Sequence, residues 1–465
     1  MGLLDYYRRY AEIDPEEVNR GLRERRARER AKALTELPTV DLAGTEWPEL
    51  PNAEVANAAI AMARGRLNGY PDPTAGAVCE RLAERHGVPP DQVTVGNGAA
   101  ELIQTAAYLL LSPGDELVTP WPSYPLFPAM ASRAGARPVA VDVRDGAPDA
   151  AALLAATSGR TRVLAIANPN DPTGGYMPSA ELDELLAALP EQAHVLLDEA
   201  YVDFQDAEPA DACLALVERH PRLLVFRTFS KVWGLSGLRG GYAVGASEAS
   251  SLLEAIGPAH GVNALTQAGL GQALRLGTDE VLRRRASVIE GRERVLSELP
   301  GIGIEAPPSQ ANFVWMRAAG VPGADLAARL ERAGVLVAAG GPLGDERHVR
   351  ASIRGAAATE RLLSALSSAA GGERARARRS ARPPAGGSAN PPRTGAAERR
   401  SSARRCAARP ACARGRARPA RSPGARARAR SRCRGARGSS AAARSRAPAS
   451  SSPTRSRGAR CPRAG

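Results

Sequence analysis

The chain has 465 residues, 43% of them hydrophobic, so it can bury a large core and hold more than one domain. No run of about 18 apolar residues occurs, which excludes a transmembrane helix, and the first residues lack a signal peptide's apolar core. We therefore expect a cytoplasmic protein with no membrane partner. The net charge of +14 misleads, because residues 371–465 hold 27 arginines and two acids, leaving 36 basic against 47 acidic residues upstream and a body at −11. A nucleic-acid partner is not expected of that body; only the basic tail would offer one.

Residues 1–45 read as an N-terminal arm. Within it, residues 16–34 are dense in Arg and Glu and predict an exposed helix supported by pairs three and four apart. A short extended piece follows over 40–48. Pro71, Asp72 and Pro73 after Tyr70 predict a turn. From about residue 75 an α/β rhythm sets in. Helical patterns cover 76–86, 99–111, 126–134, 180–189 and 212–219. Short strands are expected at 92–95, 116–119, 138–143, 163–167, 195–198, 223–227 and 241–244. Such alternation predicts an α/β, three-layer large domain over 46–255, its mostly parallel sheet covered on both faces. Longer helices over 264–276 and 279–299, then short strands and closing helices, predict a smaller α+β domain over 256–368.

Beyond residue 369 the composition collapses into Arg, Ala, Pro, Ser and Gly, which cannot nucleate a core and predicts disorder. That tail has no aromatic for base stacking and no lysine. It reads as a solvated tail or, preferably, as a reading frame that slipped in a GC-rich gene. Four of the six cysteines lie there. Cys79 and Cys213 remain, far apart, and suggest no disulfide framework. No metal site is expected.

Lysine is nearly absent: only Lys32 and Lys231 occur. A chain that uses arginine almost everywhere keeps a lysine where a primary amine is needed, since an amine can lose its proton and condense with an aldehyde and a guanidinium cannot. Thr228, Ser230, a glycine-rich turn and Arg239 surround Lys231 and suit a phosphate carried by that aldehyde. The alternative reading is a solvated Ser/Gly-rich loop. Three other stretches fit the first reading. At Gly96-Asn97-Gly98-Ala99-Ala100 a strand enters a helix through glycines, which offers amides and a helix dipole to an anion. At 168–175, Asn-Pro-Asn-Asp-Pro-Thr-Gly-Gly, a polar turn sits at a strand's C-terminal edge, where ligands bind parallel sheets. At 195–201 an apolar strand ends in Asp198, with Tyr201 three residues on. Asp198 is either a helix cap or a carboxylate that keeps a pyridine nitrogen protonated.

In this order the motifs resemble those of the fold-type-I pyridoxal-phosphate enzymes, the aspartate-aminotransferase superfamily, over residues 38–368. The subfamily most resembled is histidinol-phosphate aminotransferase, through 68–73 (Asn-Gly-Tyr-Pro-Asp-Pro), 198–204, 262–267 and 308–313. The resemblance implies pyridoxal 5′-phosphate as cofactor, with Lys231 condensed to its aldehyde and later moving the proton. It implies Asp198 at the pyridinium nitrogen, Tyr201 at the phenolic oxygen and Tyr124 on the ring face. Gly98, Ala99 and Ala100 would hold the phosphate with Thr228, Ser230 and Arg239. Tyr70 would reach it from the partner subunit, which implies a homodimer. Arg350, near Asn312, would grip the substrate's carboxylate or its equivalent. The implied reaction moves an amino group from a small-molecule donor, foremost L-histidinol phosphate, to a 2-oxo acid such as 2-oxoglutarate. A threonine-phosphate decarboxylase, an aromatic amino-acid aminotransferase and a ligand-sensing regulator on the same fold are the alternatives.

Three positions depart from the pattern. Asp171 stands where an asparagine usually donates to the phenolic oxygen. An ionised carboxylate cannot donate, so Asp171 is expected to be protonated, turned aside, or to raise the pKa of the lysine–cofactor imine. Thr45 and Trp47 replace usual asparagines, and His260-Gly261 interrupts an aromatic-Asn pair. Arg354 occupies a usual glycine position and adds positive charge suited to a phosphorylated substrate.

Overall fold

The computed structural model describes residues 38–380, with side chains through Ala369, together with Gly21, Glu24 and Arg25, which are helical. The rest of the expected arm helix, and the tail beyond residue 380, lie outside the described residues. In chain order the first elements are β1 (Val40–Asp41), α1 (Ala53–Arg66), α2 (Gly76–His86), β2 (Val93–Gly96) and α3 (Ala99–Leu110). There follow β3 (Glu116–Trp121), α4 (Leu126–Arg133), β4 (Arg137–Asp142), α5 (Ala150–Ala155), β5 (Thr161–Ala167), α6 (Ser179–Ala188), β6 (His194–Asp198), β7 (Leu223–Thr228) and β8 (Gly241–Val244). The last are α7 (Ser250–Ile256), α8 (Ala264–Leu276), α9 (Asp279–Ile302), β9 (Ile304–Glu305), β10 (Phe313–Ala318), α10 (Gly323–Glu331), β11 (Val335–Leu336), β12 (Ala338–Ala339), β13 (Val349–Ser352) and α11 (Ala356–Ser380).

Seven strands form one sheet in the order β2-β8-β7-β6-β5-β3-β4. Strands β3 to β7 run parallel, and β8 is antiparallel to both of its neighbours. The central strands are buried on both faces: Leu164, Leu196, Leu197, Leu224, Val225 and Phe226 are fully enclosed. That is why they read as unbroken apolar runs in the sequence. One core layer gathers Val95, Ile166, Leu197, Val225 and Val244, and the other gathers Leu102, Ile103, Phe127, Leu196 and Phe226. These layers seat helices on both faces. A second sheet, β12-β13-β10-β9, is antiparallel and closes its own core around Val288, Phe313, Leu330 and Leu362.

Four details depart from expectation. The pattern over 212–219 folds only as a short 3-10 turn, Leu214–Glu218, directly before β7. Helix α1 had no place in the sequence reading, because its apolar stripe is thin: only Val55 and Ala59 are buried. Helix α8, although it follows residue 255, contributes Leu270 and Ala273 to the core of the seven-stranded sheet. The first strand, β1, pairs in parallel with β11 (Val40 opposite Val335), so residues 40–42 belong with the second core.

Candidate active site

The C-terminal ends of β2, β6 and β7 carry the groups singled out in the sequence. This is the edge at which an open parallel sheet exposes backbone and side chains to a ligand. Asp198 ends β6, is buried, and accepts one backbone hydrogen bond, from Ala200 N at 3.0 Å. Burial raises its carboxyl to a pKa of about 6. Tyr124, just before α4, packs edge-on to Phe127 with ring centroids 5.6 Å apart. Its phenol is pushed up to about 12 by burial, with the charges of Asp198 and Asp171 adding to the effect.

Lys231 follows β7. Its Nζ donates to Thr45 Oγ1 at 2.5 Å and lies 4.9 Å from the centre of the Tyr201 ring. Burial pushes this amine below its ordinary pKa, against the pull of the Asp171 carboxylate. The Tyr201 hydroxyl donates to Asp171 Oδ2 at 2.9 Å, its oxygen lies 3.1 Å from Thr45 Oγ1, and its ring meets Phe313 edge-on. Burial, reinforced by Asp171, holds the phenol protonated far above its usual range.

An anion cradle lies where β2 and β7 turn out of the sheet. Gly98 precedes α3 with φ of 89° and supplies no side-chain cap, so the first amides of α3 face outward without one. A Cβ on Gly98 would stand 2.8 Å from Arg239 Nη2, and one on Gly241 would stand 2.2 Å from Ala99 N. Gly241 is thus required by close approach to backbone, and Gly98 by its positive φ. Arg239 Nη1 donates to Ser236 O at 2.9 Å and reaches Ser230 Oγ at 3.4 Å, and Thr228 Oγ1 lies 3.0 Å from Ser230 Oγ. Amides, two hydroxyls and a guanidinium make a donor set for a phosphate, and a buried carboxylate with one hydrogen bond suits a protonated ring nitrogen. The residues present therefore fit pyridoxal 5′-phosphate.

Not every expected residue joins this cluster. Tyr70 is 92% exposed and its ring meets His260 at 5.5 Å on the surface. Arg350, on β13, does reach the cluster: Nη1 donates to Asp171 Oδ1 at 2.6 Å and Nη2 to Ala43 O at 3.3 Å. Asn312 donates to Thr45 O at 3.1 Å, and its Oδ1 is buried without a partner among the described residues. Arg354 Nη2 donates to Gly44 O at 3.0 Å. Asp171 is therefore neither turned away from the site nor left as a lone charge, because Arg350 and Tyr201 share its two oxygens. Thr45, noted in the sequence only as a departure, is the hub that touches both Lys231 and Tyr201. A cavity of about 1120 Å³ is lined by Trp121, Asp142, Trp315 and His348 and includes none of these residues.

The family profile for "Aminotransferase class I and II" matches residues 39–367. The chain belongs to this aminotransferase family. It is similar to a histidinol-phosphate aminotransferase of Cupriavidus pinatubonensis, 38% identical over 323 residues, which are 69% of this chain and 85% of that protein. It is also similar to an aromatic amino acid aminotransferase of Mycobacteroides abscessus, 37% identical over 293 residues, 61% of this chain and 84% of that protein. Among solved structures, the histidinol-phosphate aminotransferase of Sinorhizobium meliloti in complex with pyridoxal-5′-phosphate superposes with a TM-score of 0.65 at 25% identity, covering 74% of this chain and 94% of that one. The aminotransferase is thus a pyridoxal 5′-phosphate enzyme with the type I fold, acting on amino and oxo acids. Among its described residues no helix is long and apolar enough to cross a membrane.

Proposed function

We propose that this aminotransferase transfers the amino group of L-histidinol phosphate to 2-oxoglutarate. The supporting observation is the pair Arg350 and Arg354, the first paired with Asp171 and the second 3.5 Å from Glu46. Arg350 and Arg354 anchor on the consecutive carbonyls of Ala43 and Gly44, and each keeps a buried Nε without a partner among the described residues. Two guanidinium groups, each with a donor left over beyond its carboxylate neighbour, suit a dianionic phosphate better than a single carboxylate. The relatives named as aromatic amino acid aminotransferases favour a second reading, in which the donor is an aromatic amino acid held by its carboxylate.

In either reading the roles are these. When bound, the cofactor supplies an aldehyde for the amino group and a ring that takes up electrons released at the donor's Cα. Lys231 Nζ, its basicity tuned by burial and its position held by Thr45, takes the proton from that Cα. Asp198 offers a buried carboxylate to the ring nitrogen's proton, and the Tyr201 hydroxyl faces the phenolic oxygen. Tyr124 covers the ring face. The amides of Gly98, Ala99 and Ala100 hold the phosphate with Thr228, Ser230 and Arg239. Arg350, beside Asn312, takes the substrate's anionic group. The proposal includes a homodimer, in which the exposed Tyr70 completes the partner's phosphate site. It also includes a place in the cytoplasm and in histidine biosynthesis, and the division into domains at residue 255, with α8 crossing it.

The test is a half-reaction panel. Purified enzyme is mixed with histidinol phosphate, phenylalanine, tyrosine or phosphothreonine, and loss of the cofactor's absorbance band is followed. A kcat/KM for histidinol phosphate at least about tenfold above the aromatic acids supports the first reading, that ratio being about 1.4 kcal/mol of discrimination. The reverse order establishes the second.

A further inference from the structure

We propose that Asp171 is an internal competitor for the substrate's anionic group at Arg350, and so a specificity-determining residue of this enzyme. The inference rests on the reading of Arg350 as the substrate's anion site. Asp171 and Arg350 are nearly enclosed, with side chains 13% and 11% exposed, and their charges meet at 2.6 Å. A carboxylate or phosphate that takes the Nη1 end of Arg350 therefore has to dislodge a carboxylate already there.

Three features make the exchange physically workable. First, Arg350 holds Asp171 through Nη1 alone, while its Nη2 is on Ala43 O and its Nε is buried without a partner among the described residues. An incoming anion at Nη1 can gain a second bond from the neighbouring Nη2, whose contact with Ala43 O is long at 3.3 Å, and a two-bonded fork outcompetes a single bond. Second, the Asp171 carboxylate keeps a polar neighbour on release, because its other oxygen lies 2.9 Å from the Tyr201 hydroxyl, whose one proton it would share with the cofactor's phenolic oxygen. A lone buried charge would otherwise oppose the exchange. Third, the two partners ride on different sheets. Asp171 sits in a turn beyond β5 that is pinned by Asn170 Nδ2 to Pro122 O at 2.9 Å, Ser123 Oγ to Asn170 Oδ1 at 2.7 Å, and Gly174 N to Asn170 O at 2.7 Å. Arg350 is on β13. The pinned turn limits how far Asp171 can follow the guanidinium when substrate engages it.

The competition filters ligands. A weak, singly held anion gains nothing over Asp171 and is excluded, whereas an anion that grips Nη1 and Nη2 together displaces it. An asparagine at this position would carry no charge and would impose no such threshold.

Isothermal titration of the cofactor-loaded enzyme with glutarate, which lacks an amino or oxo group and cannot react, tests this. Asp171→Asn and Asp171→Ala are each expected to bind glutarate at least about tenfold more tightly than the parent enzyme, as removal of a competing charge at close range demands. Arg350→Gln is expected to bind it at least about tenfold more weakly, and adding Asp171→Asn to Arg350→Gln should bring no tightening. If both Asp171 variants bind glutarate no more tightly than the parent while Arg350→Gln still weakens binding, the competition is overturned and the role of Arg350 stands. If Arg350→Gln binds as the parent does, the reading of Arg350 fails and the competition with it. The alanine variant keeps the test decisive should the asparagine variant fold poorly.

Discussion

At the scale of single residues, Asp198 carries the sharpest consequence. In the cofactor-free protein its carboxyl keeps its proton up to about pH 6, against an ordinary value of 3.8 in an unfolded chain. The folded state then binds the extra proton, so this group adds stability below about pH 4 that is lost as pH rises through 6. The loss amounts to roughly 3 kcal/mol, about two pKa units at 1.36 kcal/mol each. Urea unfolding of cofactor-free protein at stepped pH should show Asp198→Asn flattened by that amount relative to the parent; equal pH dependence would refute the assignment. Lys231→Arg keeps a cation but loses the amine chemistry, and transamination should drop at least about 10⁴-fold, the upper end of what a positioned base contributes. Borohydride followed by peptide mapping should label position 231 in the parent and leave the variant unlabelled. Lys231 stood out in the sequence because the chain has so little lysine. Thr45 did not, since its contact with Lys231 spans 186 positions and a threonine in an extended segment carries no local signal.

At the scale of elements, the tips of β6 and β7 are locked together beneath the site. Arg227 lies buried between Glu199, 2.7 Å away, and Asp211, 2.5 Å away, and it precedes Thr228 as Glu199 follows Asp198. Arg227→Leu would strand Glu199 and should cost about 3–5 kcal/mol in urea unfolding, as for other buried pairs broken on one side. A cost within measurement error would mean that Glu199 is neutral in the parent. The start of α3 makes a second such joint. Gly241→Ala would drive a methyl to 2.2 Å from Ala99 N, push the helix off β8, and weaken cofactor binding by at least about tenfold, or 1.4 kcal/mol. Titrating cofactor-free protein with pyridoxal 5′-phosphate reads this directly, and an unchanged affinity would show that the helix start does not hold the phosphate. The central β-strands were legible because both faces are buried, which leaves runs such as Val195-Leu196-Leu197 with no polar interruption. The stretch 212–219 misled because its apolar residues, Cys213, Leu214, Leu216 and Val217, all go inward from a single tight turn rather than from one face of a helix.

At the scale of the whole molecule, every residue assigned to the site or to a buried core lies between Leu42 and Leu366. A chain ending after Ser380 should keep its melting temperature within about 2 °C and its kcat/KM within about twofold. A larger loss would give the arginine-rich remainder a part in the enzyme. Long-range partners were not legible: nothing near Arg350 or Asp171 announces that the two meet, because strand pairing between distant segments sets that distance. The route taken by the first strand has its own result. It is laced to β11 through Leu42 N to Leu336 O at 2.8 Å and to the second sheet through Ser352 N to Leu42 O at 2.9 Å, and three residues later it hands a hydroxyl to an amine rooted in the first sheet. Residues 42–45 thus work as a drawstring between the two halves. A single proteolytic nick there would leave both sheets intact, yet it would cut the amine loose from the neighbour that aims it.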